Sequence, residues 1–496
     1  MINHKRNSRI ILLVGFIFQL LVVVFFYVNL DPHIKRLMPD DSFYYLKIAE
    51  NIHEGHGSVF SAGEPTNGYH PLWMGLLVLV LHILNPGKNT FILTVLLISV
   101  FLNLITAGLI KRFAAELGFP KKQQTLGMAI YLFMPWLVLL NLSGLETPLF
   151  FLCLISFFIL LQKIMASEHD RFRDYIILGV AAGSLFLVRT DSVFFIITGS
   201  AVLLWRRRSL GSFRGILTTG AVTALISAPW LIWCWDRFGS PVQSSGLALS
   251  YMRWHTMYPI DTIEFWVLNG GRLFHKLAIL FMSPFVYHAE NYDTIIPIWS
   301  DVLMLLIVAG TVMYMFKQRR KTIFPSYIWL PAVFLLFFYT FVRIASAVWH
   351  MASFALVLLM VLMNISMLLK RCKLSIPVVI LACLILNFYT LGNGFYYPAQ
   401  GNSLIENEWA LTDVSDGVLR IGATDSGYLG YFSEHIVINL DGVVNHRAFE
   451  HIRDGTFGEY LYELDLDRLL ITQERLEFYC RNGVLYQHSS GNTFSN

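Results

Sequence analysis

The chain has 496 residues, of which 55% are hydrophobic, 15% aromatic and only 14% charged, whereas an ordinary soluble domain is roughly a quarter charged. At roughly 20 apolar residues per crossing, this apolar content fills about a dozen spans, which excludes a soluble enzyme and predicts a polytopic membrane protein. The net charge of +4 hides an asymmetry: residues 393–496 hold fifteen Asp or Glu against six Arg and no Lys, a net of −9, which leaves +13 on residues 1–392.

An acidic, lysine-free tail is unsuited to nucleic acid or anionic lipid and reads as a separate water-soluble unit. Cys153, Cys234, Cys372, Cys383 and Cys480 have no metal-knuckle spacing, so neither a metal centre nor a disulfide framework is expected. The N-terminal tail runs into a hydrophobic segment without a small-residue cleavage site, so that segment reads as an anchor.

In chain order, apolar runs lie near 10–30, 71–84, 90–110, 125–141, 148–162, 175–188, 192–205, 215–234, 298–316, 325–342, 347–369 and 374–392. Basic clusters separate them: Lys5 to Arg9, Lys111 to Lys122, Lys163 to Arg173, Arg206 to Arg214, Lys317 to Lys321 and Lys370 to Lys373. Placing these in the cytoplasm by the positive-inside rule sends 31–70, 141–148, 189–191, 235–297, 343–346 and 393–496 to the outer face. Residues 71–110 must then make one net crossing. Either 71–84 lies at the outer interface or re-enters, or the charge rule fails at Lys111–Lys122.

In the tail, 418–423, 436–440 and 469–472 read as strands, with helical segments at 426–433, 446–453 and 458–464 between them. The expected architecture is an all-α polytopic membrane protein of about 11–13 transmembrane helices with a small C-terminal α/β extracytoplasmic domain. Its units are a membrane domain, 1–392, with outer loops 31–70 and 235–297, and a soluble domain, 393–496.

Three polar features fall on the outer face. Asp40 and Asp41 precede a helical pattern from Ser42 to Ile52; an N-cap is the ordinary use of such an acid, yet one cap needs only one. Glu146 sits in Ser143-Gly144-Leu145-Glu146-Thr147-Pro148, where a polar turn before a Pro-initiated helix is the simple reading. Arg189 and Asp191 lie between two short apolar runs, either as a mutually satisfied pair or as a functional site, the default for ionisable groups at membrane depth. Carboxylates and an arginine at the outer rim of an apolar bundle suit sugar transfer from a lipid phosphate. A carboxylate takes the acceptor's proton, and cationic donors stabilise charge on the departing phosphate. The activated donor supplies the energy, and no GxxxxGK[ST] or GxGxxG motif is present.

At these residues the sequence resembles the bacterial branch of the glycosyltransferase C (GT-C) superfamily. That group includes protein O-mannosyltransferases, aminoarabinose transferases of lipid A and mycobacterial arabinofuranosyltransferases. The resemblance rests on Pro39-Asp40-Asp41 with Tyr44-Tyr45; Gly55-His56-Gly57; Pro65 to Trp73; Gly144-Leu145-Glu146-Thr147; Arg189-Thr190-Asp191; Phe238-Gly239-Ser240-Pro241 with Ser244-Ser245-Gly246; and Trp349-His350. It implies that Asp40 or Asp41 is the catalytic base; Glu146, placed on the same face, is read as a further catalytic carboxylate. It offers Arg189, Asp191, His70, Tyr44, Arg253, Lys276 and His350 for the donor phosphate or substrate. Relatives often carry a Lys just after the Pro-x-Ser region, and here Ser245–Ser250 has none, which leaves Arg253, Arg237, Arg272 or Lys276 as candidates for the phosphate.

The implied reaction is inverting transfer from a polyprenyl-phosphate-linked sugar to an envelope glycan, lipid or protein acceptor, outside the cytoplasmic (inner) membrane. No cofactor is expected; a divalent ion at Asp40 and Asp41 is left open, two adjacent carboxylates being too few ligands to argue one; nucleic acid is not an expected partner. Two alternatives stand beside it. An O-antigen ligase or polymerase depends on Arg and His in a late outer loop, and a lipid-linked glycan transporter predicts an internal repeat with helices broken at the bilayer midplane. The early acidic pair disfavours the first; no repeat is visible for the second.

Overall fold

The structure, a computed structural model, describes residues 2–28, 37–61, 63–256, 323–342, 348–368, 375–392 and 417–471, with some single positions between. Lys276 and most of the apolar run 298–316 lie outside the described residues.

The membrane region is helical: α1 (Ile2–Val28), α2 (Asp40–His53), α3 (Pro71–Leu84), α4 (Lys88–Glu116), α5 (Lys121–Phe133), α6 (Pro135–Asn141), α7 (Thr147–Ala166), α8 (Phe172–Val188), α9 (Val193–Arg207), α10 (Leu210–Phe238), α11 (Ser244–Thr256), α12 (Ser326–Phe341), α13 (Ala352–Leu368) and α14 (Ile376–Gly392). Among the described residues, five helical stretches are long and apolar enough to cross a membrane: Arg6–Val28, Lys88–Glu116, Thr147–Ala166, Leu210–Phe238 and Trp349–Met367. The bent pair α5 and α6 makes a sixth, with 59° between its halves. The bend has a local cause: Pro135 lacks an N–H and holds Met134 in extended backbone, φ −66 and ψ 124, so the helix restarts in a new direction. That turn delivers the chain to the Ser143–Glu146 loop.

Contacts settle which faces the loops share. The Lys111 ammonium donates to Ser8 Oγ at 2.6 Å, so the start of α1 and the end of α4 lie on one side. Arg207 pairs with Asp170 at 2.9 Å, and Asp170 also accepts from Ser209 and Ser212, which joins the 163–173 and 206–214 loops. At the other end of α4, the Lys88 carbonyl accepts from the Tyr431 hydroxyl of the C-terminal domain at 3.0 Å. Gly68, just before α3, lies against Val443 of the same domain. Both ends of α3 therefore lie on the C-terminal domain's face. A ring contact and hydrogen bond between His53 of α2 and His82 of α3 tie the two helices together. Of the alternatives open for 71–84, ends on one face suit an interfacial or re-entrant helix and not a crossing.

The C-terminal region forms a parallel three-stranded sheet of order β2-β1-β3, with β1 Arg420–Ala423, β2 Ile436–Asn439 and β3 Arg468–Leu470. Gly422 lies opposite Ile438 on one side and Leu469 on the other. In β1, Ile421, Gly422 and Ala423 are all buried, so the central strand reads as an apolar run rather than an alternation. Helices α15 (Gly427–Phe432), α16 (His446–Asp454) and α17 (Phe457–Glu463) join the strands, each within two residues of the segment read from sequence. Ile438, Leu440, Phe449, Ile452 and Tyr460 share its core, and Asn445 caps α16 by accepting from the Ala448 N–H at 3.1 Å.

Candidate active site

The outer loop is fastened to the bundle by its own polar groups. Ser42 Oγ donates to the Ser143 carbonyl at 2.6 Å, and the Trp73 indole donates to the Gly144 carbonyl at 3.2 Å. These bonds hold the first turn of α2 beside the Glu146 loop, where a cleft opens. Its walls include Asp41, Tyr44, Tyr45, His70, Glu146 and Gln243, closed by Trp349, His350 and Val443.

The structure divides the acidic pair. Asp40 faces the C-terminal domain, and its carboxylate accepts the Gly427 and Tyr428 N–H groups, both at 2.8 Å, capping α15. A side chain at Gly427 would meet the Asp40 carbonyl, so only glycine allows this approach. Tyr44 serves the same junction: its hydroxyl accepts from the Ser426 N–H at 2.8 Å and from the Asn439 amide at 3.2 Å. Asp41 is half-buried in the cleft wall, and among the described residues its carboxylate makes no hydrogen bond. Burial, then the charges of Asp40, Asp425, Asp441 and Glu146, push the Asp41 carboxyl well above the usual carboxylate range. Burial and Asp425 push Asp40 up to about 7, against the opposing pull of the two N–H bonds.

Glu146 is held from three sides. Arg189 Nη1 donates to Oε1 at 3.1 Å, the Tyr45 hydroxyl donates to Oε2 at 3.4 Å, and His70 Nε2 stands 3.9 Å from Oε1. Arg189 is 1% exposed. It forks onto Asp191 through Nε at 3.1 Å and Nη2 at 2.9 Å, and gives a second Nη1 bond to the Trp349 carbonyl at 3.3 Å. Asp191 in turn accepts from Tyr339 and Ser353 at 2.8 and 2.9 Å. Burial alone would raise the Asp191 carboxyl, but Arg189 and the two hydroxyls hold it far below its ordinary range.

Of the residues singled out in the sequence, Asp41, Tyr44, His70, Glu146 and His350 line the cleft. Arg189 and Asp191 form the buried brace behind Glu146, and Asp40 the clamp on the C-terminal domain. Arg253 belongs to α11 by its backbone; its side chain, like Lys276, lies outside the described residues. Sequence reasoning missed Tyr45 and Gln243 as site residues. The Tyr44-Tyr45 doublet was a signal for the first; the second, an uncharged residue in a loop, gave none. His350 lies 8% exposed with its ring 5.8 Å from that of Tyr339, a packed histidine that also faces the cleft.

Removing the Asp40 clamp is expected to loosen the C-terminal domain locally. Asp40→Ala deletes a capping acceptor, which costs about 1–2 kcal/mol, so amide hydrogen exchange at Gly427 and Tyr428 is expected to quicken by about 5- to 30-fold. Unchanged protection there would show that the domain is held by other contacts.

Residues 70–233 match the family described as dolichyl-phosphate-mannose-protein mannosyltransferase. The match includes His70, Glu146, Arg189 and Asp191 and begins after the acidic pair. In fold the chain is similar to the Archaeoglobus fulgidus oligosaccharyltransferase tethered to an acceptor peptide containing the NVT sequon, with a TM-score of 0.53 and 12% identity over 93% of this chain and 68% of that one. It is similar also to oligosaccharyltransferase AglB of the same organism in complex with an inhibitory peptide and a dolichol-phosphate, with a TM-score of 0.53 and 12% identity over 93% and 69% of the two chains. No curated protein sequence matches it. The chain is thus similar over residues 70–233 to this mannosyltransferase family and, in fold, to these oligosaccharyltransferases.

Proposed function

We propose that the protein moves a sugar from a polyprenyl-phosphate-linked donor to a hydroxyl of an envelope glycan, lipid or protein, with inversion at the anomeric carbon. The transfer takes place at the outer face of the cytoplasmic (inner) membrane. The observation that carries this reading is Asp41, a carboxylate with a raised proton affinity and no hydrogen bond among the described residues, facing a cleft at the rim of an apolar bundle. In the proposed step the acceptor oxygen attacks the anomeric carbon as its proton passes to Asp41. The bond between that carbon and the phosphate oxygen breaks, and polyprenyl phosphate leaves. Basicity near the working pH is what a general base needs.

His70 and His350 are the groups proposed to meet the phosphate, while the Tyr45 hydroxyl, which donates to Glu146 and accepts the His70 backbone N–H, holds the two in place. Arg189 is buried and engaged with Asp191, Glu146 and the Trp349 carbonyl, so its role is to fix Glu146. A lipid-phosphate donor draws support from the family match, named for dolichyl-phosphate-mannose, and from the fold's likeness to an enzyme seen with a dolichol-phosphate. The C-terminal domain completes the cleft through Val443. The test is transfer by purified, lipid-reconstituted protein from a radiolabelled polyprenyl-phosphate sugar, with the product's anomeric configuration determined. An inverted product is expected; a retained configuration, or transfer from a sugar nucleotide alone, would overturn the reading.

The pH dependence has a fixed sign. Asp41 must be ionised to accept a proton, and its carboxyl is raised, so kcat/KM is expected to rise with pH through a midpoint above the usual carboxylate range. Asp425→Asn removes a negative neighbour and favours the ionised base, so the midpoint is expected to move to lower pH. Asn tolerates the φ of 47° at this position. A midpoint that stays fixed in Asp425→Asn would detach the acid limb from Asp41.

A further inference from the structure

Gln243 immediately precedes α11, and its side chain reaches back to the outer loop: Nε2 lies 2.8 Å from the Tyr69 carbonyl and 3.1 Å from His70 Nδ1. A backbone carbonyl only accepts, so the NH2 end of the amide must face it, and the same NH2 meets Nδ1 of His70. Nδ1 is therefore the acceptor, and the single proton of the neutral imidazole resides on Nε2. At the other end of the amide, Thr190 Oγ1 donates to Gln243 Oε1 at 3.5 Å. This contact suits the orientation that the Tyr69 carbonyl fixes.

We propose that Gln243 is a positioning residue that holds His70 as a neutral imidazole with its Nε2–H presented to the cleft. An imidazolium would carry a second N–H on Nδ1, pointed at the amide's own hydrogens. Among the described residues, the groups that face His70 are Asp41 and Tyr45 of α2, Glu146 of the loop before α7, whose Oε1 is 3.9 Å from Nε2, and His350 of the turn Val348–Met351. The acids favour the imidazolium; Gln243 opposes it. A neutral donor hydrogen-bonds to an oxygen of the leaving phosphate without ion pairing permanently to Glu146. That use rests on the glycosyl-transfer reading, whereas the tautomer itself does not.

The test is nitrogen NMR of protein labelled with 15N-histidine, with the His70 signal assigned by its loss in His70→Gln. In the unsubstituted protein, His70 is expected as the Nε2–H neutral form near pH 7. In Gln243→Glu a carboxylate replaces the donor, and His70 is expected to become doubly protonated at a pH higher by about one unit. Gln243→Met, which fills the same space without hydrogen bonds, guards against misfolding of the Glu variant and is expected to give a mixture of tautomers. It is also expected to lower kcat for transfer about tenfold, with KM for the acceptor unchanged and no further loss when combined with His70→Gln. An Nδ1–H or charged His70 in the unsubstituted protein, or a signal unmoved in both variants, would overturn the assignment. Because the spectrum needs no substrate, a failed transfer assay with an intact Nε2–H signal would count against the function and leave the positioning role standing.

Discussion

Asp41→Asn is expected to lower kcat for sugar transfer by about 10²- to 10⁴-fold, the usual contribution of a positioned general base, while leaving the fold intact. The amide keeps the size of the carboxylate and cannot take a proton. Among the described residues the Asp41 carboxylate makes no hydrogen bond, so its replacement breaks none. It also relieves repulsion, because Asp40, Asp425, Asp441 and Glu146 all act on Asp41 with like charge; thermal stability is expected to hold or rise. Asp40→Asn should separate from it. There the loss falls on the capping bonds to Gly427 and Tyr428, and activity is expected to fall only as far as the C-terminal domain shifts. Equal turnover in Asp41→Asn and the unsubstituted protein would remove the proposed base.

Arg189→Met is expected to have the largest effect on stability, about 3–5 kcal/mol, because it strips a buried pair of one partner and leaves the charges behind. Asp191 would lose both prongs of the guanidinium fork and Glu146 its shortest hydrogen bond. The Trp349 carbonyl would lose a donor as well. The damage joins three distant segments, since Arg189 ends α8, Glu146 precedes α7 and Trp349 precedes α13. Thermal unfolding in detergent is the measurement, with Arg189→Met/Asp191→Asn expected to recover part of the loss through the coupling of neighbouring sites. A double variant as unstable as the sum of its single changes would show that the two side chains do not act as a pair.

Much of the membrane architecture was legible in the sequence because hydropathy and loop charge are local signals. Apart from α2 and α11, the described helices of the membrane region fall on the apolar runs, and the break at Pro135 follows from one residue's missing N–H. The sheet and helices of the C-terminal region could likewise be read from alternation and turn residues. What the sequence withheld was the division of labour between Asp40 and Asp41. A cap and a base look alike at a helix start, and the N–H groups that claim Asp40 lie 387 and 388 positions away. The course of 71–84 was open for a related reason. Its composition suits either the bilayer or its interface, and the deciding contacts, His53 with His82 and Tyr431 with Lys88, are tertiary. Gln243 was invisible because its importance lies wholly in the carbonyl and imidazole that its amide meets.

The most direct test is a structure determined by electron cryomicroscopy of the protein in lipid with a non-hydrolysable polyprenyl-phosphate sugar analogue. The anomeric carbon is expected in the cleft beside Asp41, with the phosphate towards His70 and His350 and the lipid chain along the bundle's apolar flank. An analogue bound on the face of Lys111 and Arg207, or with its sugar walled off from Asp41 by the bundle, would contradict the proposed site.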